Sequence, residues 1–221
     1  MTAPPPDVDP EIVSGDLTEQ QLEAYLRSPE LAVDTETMGL HPLRDRLCLV
    51  QLFDRNGVAS IVQVPQREGL VGSPAPAGLA PRLKRLLEEP SVVKVFHFAR
   101  FDVAALKHHL AIDVAPIYCT RTVSKLVRTY TDRHGLKDNL RELLGVELDK
   151  EMRNSDWSAP VLAPDQVRYA ISDVTLLLPL MDKLKDILQR AGREELAEQC
   201  FAVIPTLAKL DLAGYDLLFE H

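Results

Sequence analysis

The chain has 221 residues, 46% of them hydrophobic, and a formal charge of −8 from 25 basic and 33 acidic side chains. That length fits one domain and the apolar share supports a sizeable core. The acidic balance argues against a protein that grips long nucleic acid along a basic track. The apolar run LLLPLM at 176–181 is far too short to span a bilayer. No basic segment followed by an apolar stretch marks a secretory signal, so the expected setting is cytoplasmic, without membrane contact. Cys48, Cys119 and Cys200 are odd in number and lack C-x-x-C spacing. They read as reduced thiols rather than disulfides or zinc ligands.

In chain order, MTAPPPDVDP reads as Pro-rich and disordered. Residues 1–12 are assigned to a leader and 13–221 to a single domain. Residues 31–36 read as a strand, and RLCLVQLFD (46–54) and GVASIVQV (57–64) as a hairpin across Arg55, Asn56 and Gly57. Residues 65–81 hold four prolines and three glycines and read as an exposed loop. Helical spacing returns at 78–89, a buried strand is expected at 91–97 and a helix at 99–110. A short strand at 117–120 precedes helices near 121–130 and 136–144. Pro164 opens a long helix reaching about Arg190, which Pro179 should kink or end. A last helix spans about 193–211 and carries Pro205. Strands first, then strands alternating with helices, describe an α/β domain with a mixed sheet flanked by helices.

The chemistry sits in three short runs. Asp34 and Glu36 lie in LAVDTETMGL, Asp102 in VFHFARFDVAAL, and Tyr169 and Asp173 in QVRYAISDVTLL. Two residues apart on a strand, Asp34 and Glu36 point to one face. Four apart on a helix, Tyr169 and Asp173 share a face as well. Each carboxylate adjoins apolar positions, where charge is costly unless it is paired or binds a cation. Converging carboxylates are hard oxygen ligands that select Mg²⁺ or Mn²⁺ over zinc. Two such ions form the clamp for in-line displacement at phosphorus, and a tyrosine within hydrogen-bond reach would orient the attacking water. Taken singly, each of these runs is common and reads as structural; their order and spacing together carry the signal.

Together DTET, HFARFD and YAISD resemble the three motifs of the DEDD exonucleases, in the tyrosine-bearing branch typified by ribonuclease D. The run SDW at 155–157, with Pro160, Leu162, Gln166 and Tyr169 after it, is similar to the segment leading into the third motif. The resemblance covers about 30–190 and implies an RNase H-like, five-stranded mixed sheet in a single exonuclease domain. DTETMGLHPLRDRLCLVQL, HFARFD and VRTYTDRHGLKDNLRELLG look more narrowly like the nano-RNase C branch, which hydrolyses RNA dinucleotides. That branch implies a homo-oligomer, a ring octamer. Phe98 stands where the wider superfamily often has Asn, a departure the branch shares. About thirty residues follow Arg190, too few for the helical RNA-binding domains of full ribonuclease D.

The resemblance also frames candidates for substrate binding. Leu40, beside Thr37, Met38 and Gly39, matches a leucine that wedges between two bases, the alternative being a core leucine. His97 and Arg100 flank the second motif and are candidates for a phosphate. Arg133, His134 and Lys137 lie in a stretch, 121–141, that holds six basic residues against two acidic ones. They are candidates for capping a 5′ phosphate, the alternative being a solvated helix face. Trp157, the sole tryptophan, is expected to anchor the loop before the long helix rather than stack on a base. The expected activity is metal-dependent 3′–5′ hydrolysis of very short RNA, dinucleotides first, with single-stranded DNA a further possible substrate. The alternatives are trimming of longer RNA 3′ ends in the manner of ribonuclease D, and an inactive oligomeric nucleic-acid-binding module.

Overall fold

Six runs rich in aliphatic and β-branched residues pair into one sheet: β1 (Glu11–Ser14), β2 (Glu30–Thr37), β3 (Leu47–Asp54), β4 (Ala59–Gln63), β5 (Val93–Phe96) and β6 (Ile117–Cys119). The computed structural model describes residues 8–66, 76, 78–148 and 155–219. The strand order is β1-β4-β3-β2-β5-β6. β2, β3 and β4 form an antiparallel meander, while β5 and β6 join β2 in parallel and β1 joins β4 in parallel. The sheet therefore has six strands rather than five. The extra one is β1, and its Glu11 and Ile12 fall inside the stretch assigned to the leader. Four residues with no strong period and a preceding proline gave little sign of a strand; pairing with β4 makes it one. Most of the Pro/Gly-rich loop read at 65–81 lies outside the described residues.

The helices are α1 (Glu19–Tyr25), α2 (Pro81–Leu87), α3 (Ala99–Leu110), α4 (Thr120–Val127), α5 (Leu136–Asn139), α6 (Pro164–Thr175), α7 (Leu177–Ala191) and α8 (Glu194–Leu212), with a π-helical turn at Leu140–Leu144 after α5. The long helix expected from Pro164 to Arg190 breaks between Thr175 and Leu177. A proline ring clashes with the carbonyl four residues earlier, and for Pro179 that residue is Thr175. Pro179 itself falls in the first turn of α7, where a missing N–H does little harm. Gln166 adds a start signal for α6, its Oε1 accepting from the Ala163 N–H at 2.8 Å.

Helices cover both faces of the sheet. Tyr25 of α1 donates to Ser60 Oγ at 2.8 Å, which places α1 on the face that carries Val33 and Thr35. On the other face, α6 and α7 pack over β2, and α6 reaches β3. Buried Leu31, Val33, Leu49, Leu52, Ile61, Val95 and Phe96 fill the interior between these layers. Buried Lys94 is fully matched, its Nζ donating to the carbonyls of Glu89 and Val92 at 2.7 Å each and to that of Ala115. Cys48 and Cys119 are buried, Cys200 is partly exposed, and all three are free thiols. Among the described residues no helix is long and apolar enough to cross a membrane.

Candidate active site

The site forms where β2 outlasts its neighbour. Pairing of β2 with β5 covers only Glu30, Leu31 and Ala32, so β2 from Val33 to Thr37 runs on beyond β5. The chain leaving β5 turns into α3 at that point, and the first turn of α3 sets Asp102 against the open end of β2. Ligands bind at such carboxyl-end crevices because strand ends and helix starts converge there. The turn is strained: Phe98, before α3, takes φ 75°, a left-handed conformation unusual for a bulky side chain. Its exposed ring lies under the Arg121 guanidinium, 4.4 Å from the ring centroid.

Asp34 and Glu36 project from β2 on the face that α6 covers, and Asp173 of α6 meets them. Ligand oxygens of these three all lie within 4.8 Å of one another. Asp102 approaches from the α3 side. It is buried, and Thr35 Oγ1 donates to its Oδ1 at 2.6 Å. Thr35 sits between the two first-motif carboxylates in sequence, yet alternation along the strand turns it to the opposite face. Its role was not foreseen from sequence. The only signal was its place between Asp34 and Glu36.

Electrostatics show what this packing costs. Although Asp34 keeps some surface open to the cleft, protein crowds its carboxyl, and burial pushes its pKa well above the ordinary carboxylate range. The negative charges of Asp102, Asp173 and Glu36 push in the same direction. Burial lifts Asp102 to about 7, against the pull of its hydrogen bonds from Thr35. Like charges collected in a low-dielectric cleft call for a cation, and an all-oxygen donor set suits Mg²⁺ or Mn²⁺. The residues present therefore fit divalent ions.

Around the carboxylates lies a cleft of about 370 Å³ lined by Thr35, Glu36, Thr37, Met38, Gly39, Leu40, Phe101, Ser155 and Trp157. Leu40 is 80% exposed at its lip, so it is no core leucine. The turn that carries it is stapled. The carboxylate of Asp45 accepts from the His41 N–H at 2.9 Å and from Arg44. Gly39 is needed there, since a Cβ at that position would stand 2.2 Å from Asp45 Oδ2. Trp157 is 3% exposed, its ring 5.9 Å from that of Tyr169. The carbonyl of Asp156 next to it accepts from Gln166 Nε2 at 3.0 Å. Trp157 thus anchors the loop to α6, as expected, and its edge also forms the cleft wall.

Other candidates are engaged elsewhere. Arg100 forms a bidentate pair with Asp211 at 2.5 and 2.7 Å and donates to the Asp216 carbonyl at 3.0 Å, tying α3 to the C-terminal helix. His97 Nδ1 lies 2.9 Å from Thr120 Oγ1, whose own hydroxyl donates to the Phe96 carbonyl. That hydroxyl has no second hydrogen, so Nδ1 carries the proton. Burial, with the Arg121 charge beside it, drives His97 down to about 3 and keeps it neutral. His134 Nδ1 is 2.9 Å from Ser124 Oγ. Arg133 is exposed, and Lys137 Nζ lies 3.8 Å from Glu147. Of the six basic residues at 121–141, Arg128, Lys137 and Arg141 have acidic partners, while Lys125 and Arg133 are exposed. Arg128 is buried against Ser124, Asn139, the Arg133 carbonyl and Glu142, and Arg141 pairs with Asp138.

A helix-flanked mixed sheet with these groups at the end of its parallel strands defines an RNase H-like exonuclease domain. The chain belongs to the 3′–5′ exonuclease family, whose sequence profile matches residues 11–189, in its ribonuclease D-like branch. Ribonuclease D of Acidiphilium cryptum (strain JF-5) is 37% identical over 176 residues, covering 80% of this chain and 42% of that protein. Ribonuclease D of Gluconacetobacter diazotrophicus is 34% identical over 183 residues, 83% of this chain and 44% of its own length. The chain thus spans less than half the length of these curated relatives. Among solved structures, Brucella melitensis NrnC bound to pGG superposes with a TM-score of 0.83 at 42% identity, covering 94% of this chain and 95% of that one. Brucella melitensis NrnC with bound Mg²⁺ gives 0.81 at 43%, covering 93% and 94%. Escherichia coli RNase D, at 22% identity and a TM-score of 0.75, covers 91% of this chain and 51% of its own; that likeness concerns the fold.

Proposed function

We propose that the protein is a metal-dependent 3′–5′ exoribonuclease that hydrolyses very short RNA, dinucleotides above all, to mononucleotides. The observation that carries this reading is the small cleft of about 370 Å³ that runs from Glu36 of the carboxylate cluster to an exposed leucine lip. The likeness to Brucella melitensis NrnC, solved bound to pGG and to Mg²⁺, supports it. So does the pairing of Arg128, Lys137 and Arg141 with Glu142, Glu147 and Asp138, which reduces the positive surface available to track a long strand.

Asp34, Glu36, Asp102 and Asp173 would hold two divalent ions, Mg²⁺ or Mn²⁺, which when bound supply Lewis-acid activation of water and charge compensation at phosphorus. Thr35 holds Asp102 in place. Tyr169, one turn before Asp173 and braced by Trp157, directs the attacking water along the line of displacement. Leu40, with Thr37, Met38 and Gly39, bounds the base-binding side, where apolar contact tolerates any sequence. Arg133, His134 and Lys137 are the candidates for a 5′ phosphate. The setting is taken to be cytoplasmic and the assembly a homo-oligomer, testable by light scattering of the purified chain.

The deciding experiment compares initial rates on RNA of two, three, seven and twenty nucleotides with Mg²⁺ or Mn²⁺. A sharp preference for two nucleotides is expected. Uniform rates would favour 3′ trimming of longer RNA, the reading favoured by the ribonuclease D relatives.

A further inference from the structure

Gln51 is the one side chain among the described residues that is fully buried with both its amide nitrogen and its amide oxygen unpartnered. Other buried polar side chains of this core have partners, although single atoms such as the Tyr118 hydroxyl and Trp157 Nε1 do not. Ser60 takes hydrogen bonds from Tyr25 and Gln21, Asn139 accepts from Arg128 and donates to the Gly135 carbonyl, and Lys94 meets three carbonyls. An orphaned amide inside a sheet is costly and needs a reason.

The register supplies one. Gln51 stands directly opposite Asp34 in the antiparallel pairing of β3 with β2. Residues so paired share a face, with Cβ atoms about 4.5–5.5 Å apart. On the other flank Gln51 faces Ile61 of β4, and along its own strand the residues on the same face are Leu49 and Phe53. In the sheet the polar residue directly opposite Gln51 is Asp34, with Glu36 on β2 and Gln63 on β4 diagonal to it. Helix α6, which brings Asp173, closes over β2 and β3 on that side.

We propose that Gln51 is a positioning residue for the metal site. With ions bound, its Nε2–H₂ donates to the Asp34 oxygen that faces away from the ions, fixing the carboxylate plane. A carboxylate has more acceptor sites than one ion occupies, and partners of this kind set ligand orientation and affinity. Three rotatable bonds give the glutamine the reach to adjust as Asp34 turns. The inference rests on the metal-site reading above, and the test separates the two.

The experiment measures Mn²⁺ and Mg²⁺ affinity of the full chain by calorimetry, and Tm in EDTA, for wild type and Gln51→Leu. Wild type should bind Mn²⁺, and Asp34→Asn should lose most of that binding. Failure of wild type to bind overturns the metal-site reading itself, and this inference with it. Gln51→Leu should keep or raise Tm in EDTA, since it removes an unpaired amide, yet weaken Mn²⁺ binding roughly 10–100-fold. Turnover should fall with little change in KM. Wild-type Mn²⁺ affinity in Gln51→Leu, beside normal binding by wild type, overturns the role of Gln51 and leaves a packing amide satisfied by buried water. If leucine does not pack, Gln51→Met, unbranched and closer in length, carries the same comparison.

Discussion

Asp34 projects from one face of β2 while Asp102 packs against Thr35 on the other, and each would relax if its charge were removed. Asp34→Asn relieves repulsion from three neighbouring carboxylates, so Tm in EDTA should hold or rise. Loss of an outer partner of a metal ligand typically costs 10–100-fold, so loss of the ligand itself should lower turnover by at least about 100-fold. Near-normal hydrolysis by purified Asp34→Asn would refute the mechanism. Tyr169 makes a different claim. Its part is to aim water. Tyr169→Phe should therefore slow the chemical step roughly 100-fold while Mn²⁺ affinity, read by calorimetry, stays within a few-fold of wild type. A parallel loss of metal affinity would mark the tyrosine as part of the ligand scaffold.

Two connecting elements govern how the cleft is shaped. The turn after β2 presents Leu40 because Asp45 closes it over a glycine. Gly39→Ala drives a methyl group into the Asp45 carboxylate, which must then give up the His41 N–H. As the turn lies at the surface, Tm should change little, but KM for a dinucleotide should rise, as steady-state kinetics would show. The segment from α4 to the π-helical turn instead depends on Arg128, a buried cation with four partners. Replacing it with methionine strands Ser124, Asn139 and the Arg133 carbonyl. Denaturant unfolding should show a loss of about 3 kcal/mol, the low end for breaking a buried ionic network, because Glu142 remains hydrated. Both elements owe their shape to contacts made after folding, Asp45 in one and Arg128 in the other.

For the whole molecule, the carboxylate cluster couples stability to pH and to metal. An ordinary aspartate ionises near pH 4, whereas Asp102 in the folded chain does so at about 7. Between those values the metal-free native state holds more protons than the unfolded chain, so its stability falls as pH rises through that window. The raised Asp34 pushes in the same direction. Divalent ions reverse the penalty by binding the ionised carboxylates. The gap in Tm between Mg²⁺ and EDTA should therefore widen from pH 5.5 to pH 8. A constant gap would show that the ions act elsewhere on the protein.

Much of this was written along the chain. The runs DTET, HFARFD and YAISD already held the four carboxylates and the tyrosine to which the proposed mechanism assigns roles, and hydrophobic period and proline placement marked most strands and helices, because those signals are local. Strand β1 escaped, since a four-residue segment becomes a strand only by pairing with β4. The break at Thr175 was half legible: Pro179 announced it, and the clash four residues earlier set its place. What tertiary structure alone decided were the partnerships. It joined Thr35 to Asp102, diverted Arg100 to Asp211 and His97 to Thr120, buried Arg128 against Glu142, and set Gln51 opposite Asp34. Residue types and spacing tell which chemistry a chain can carry. Whether a charged side chain serves substrate or scaffold depends on what stands across from it, and sequence distance does not record that.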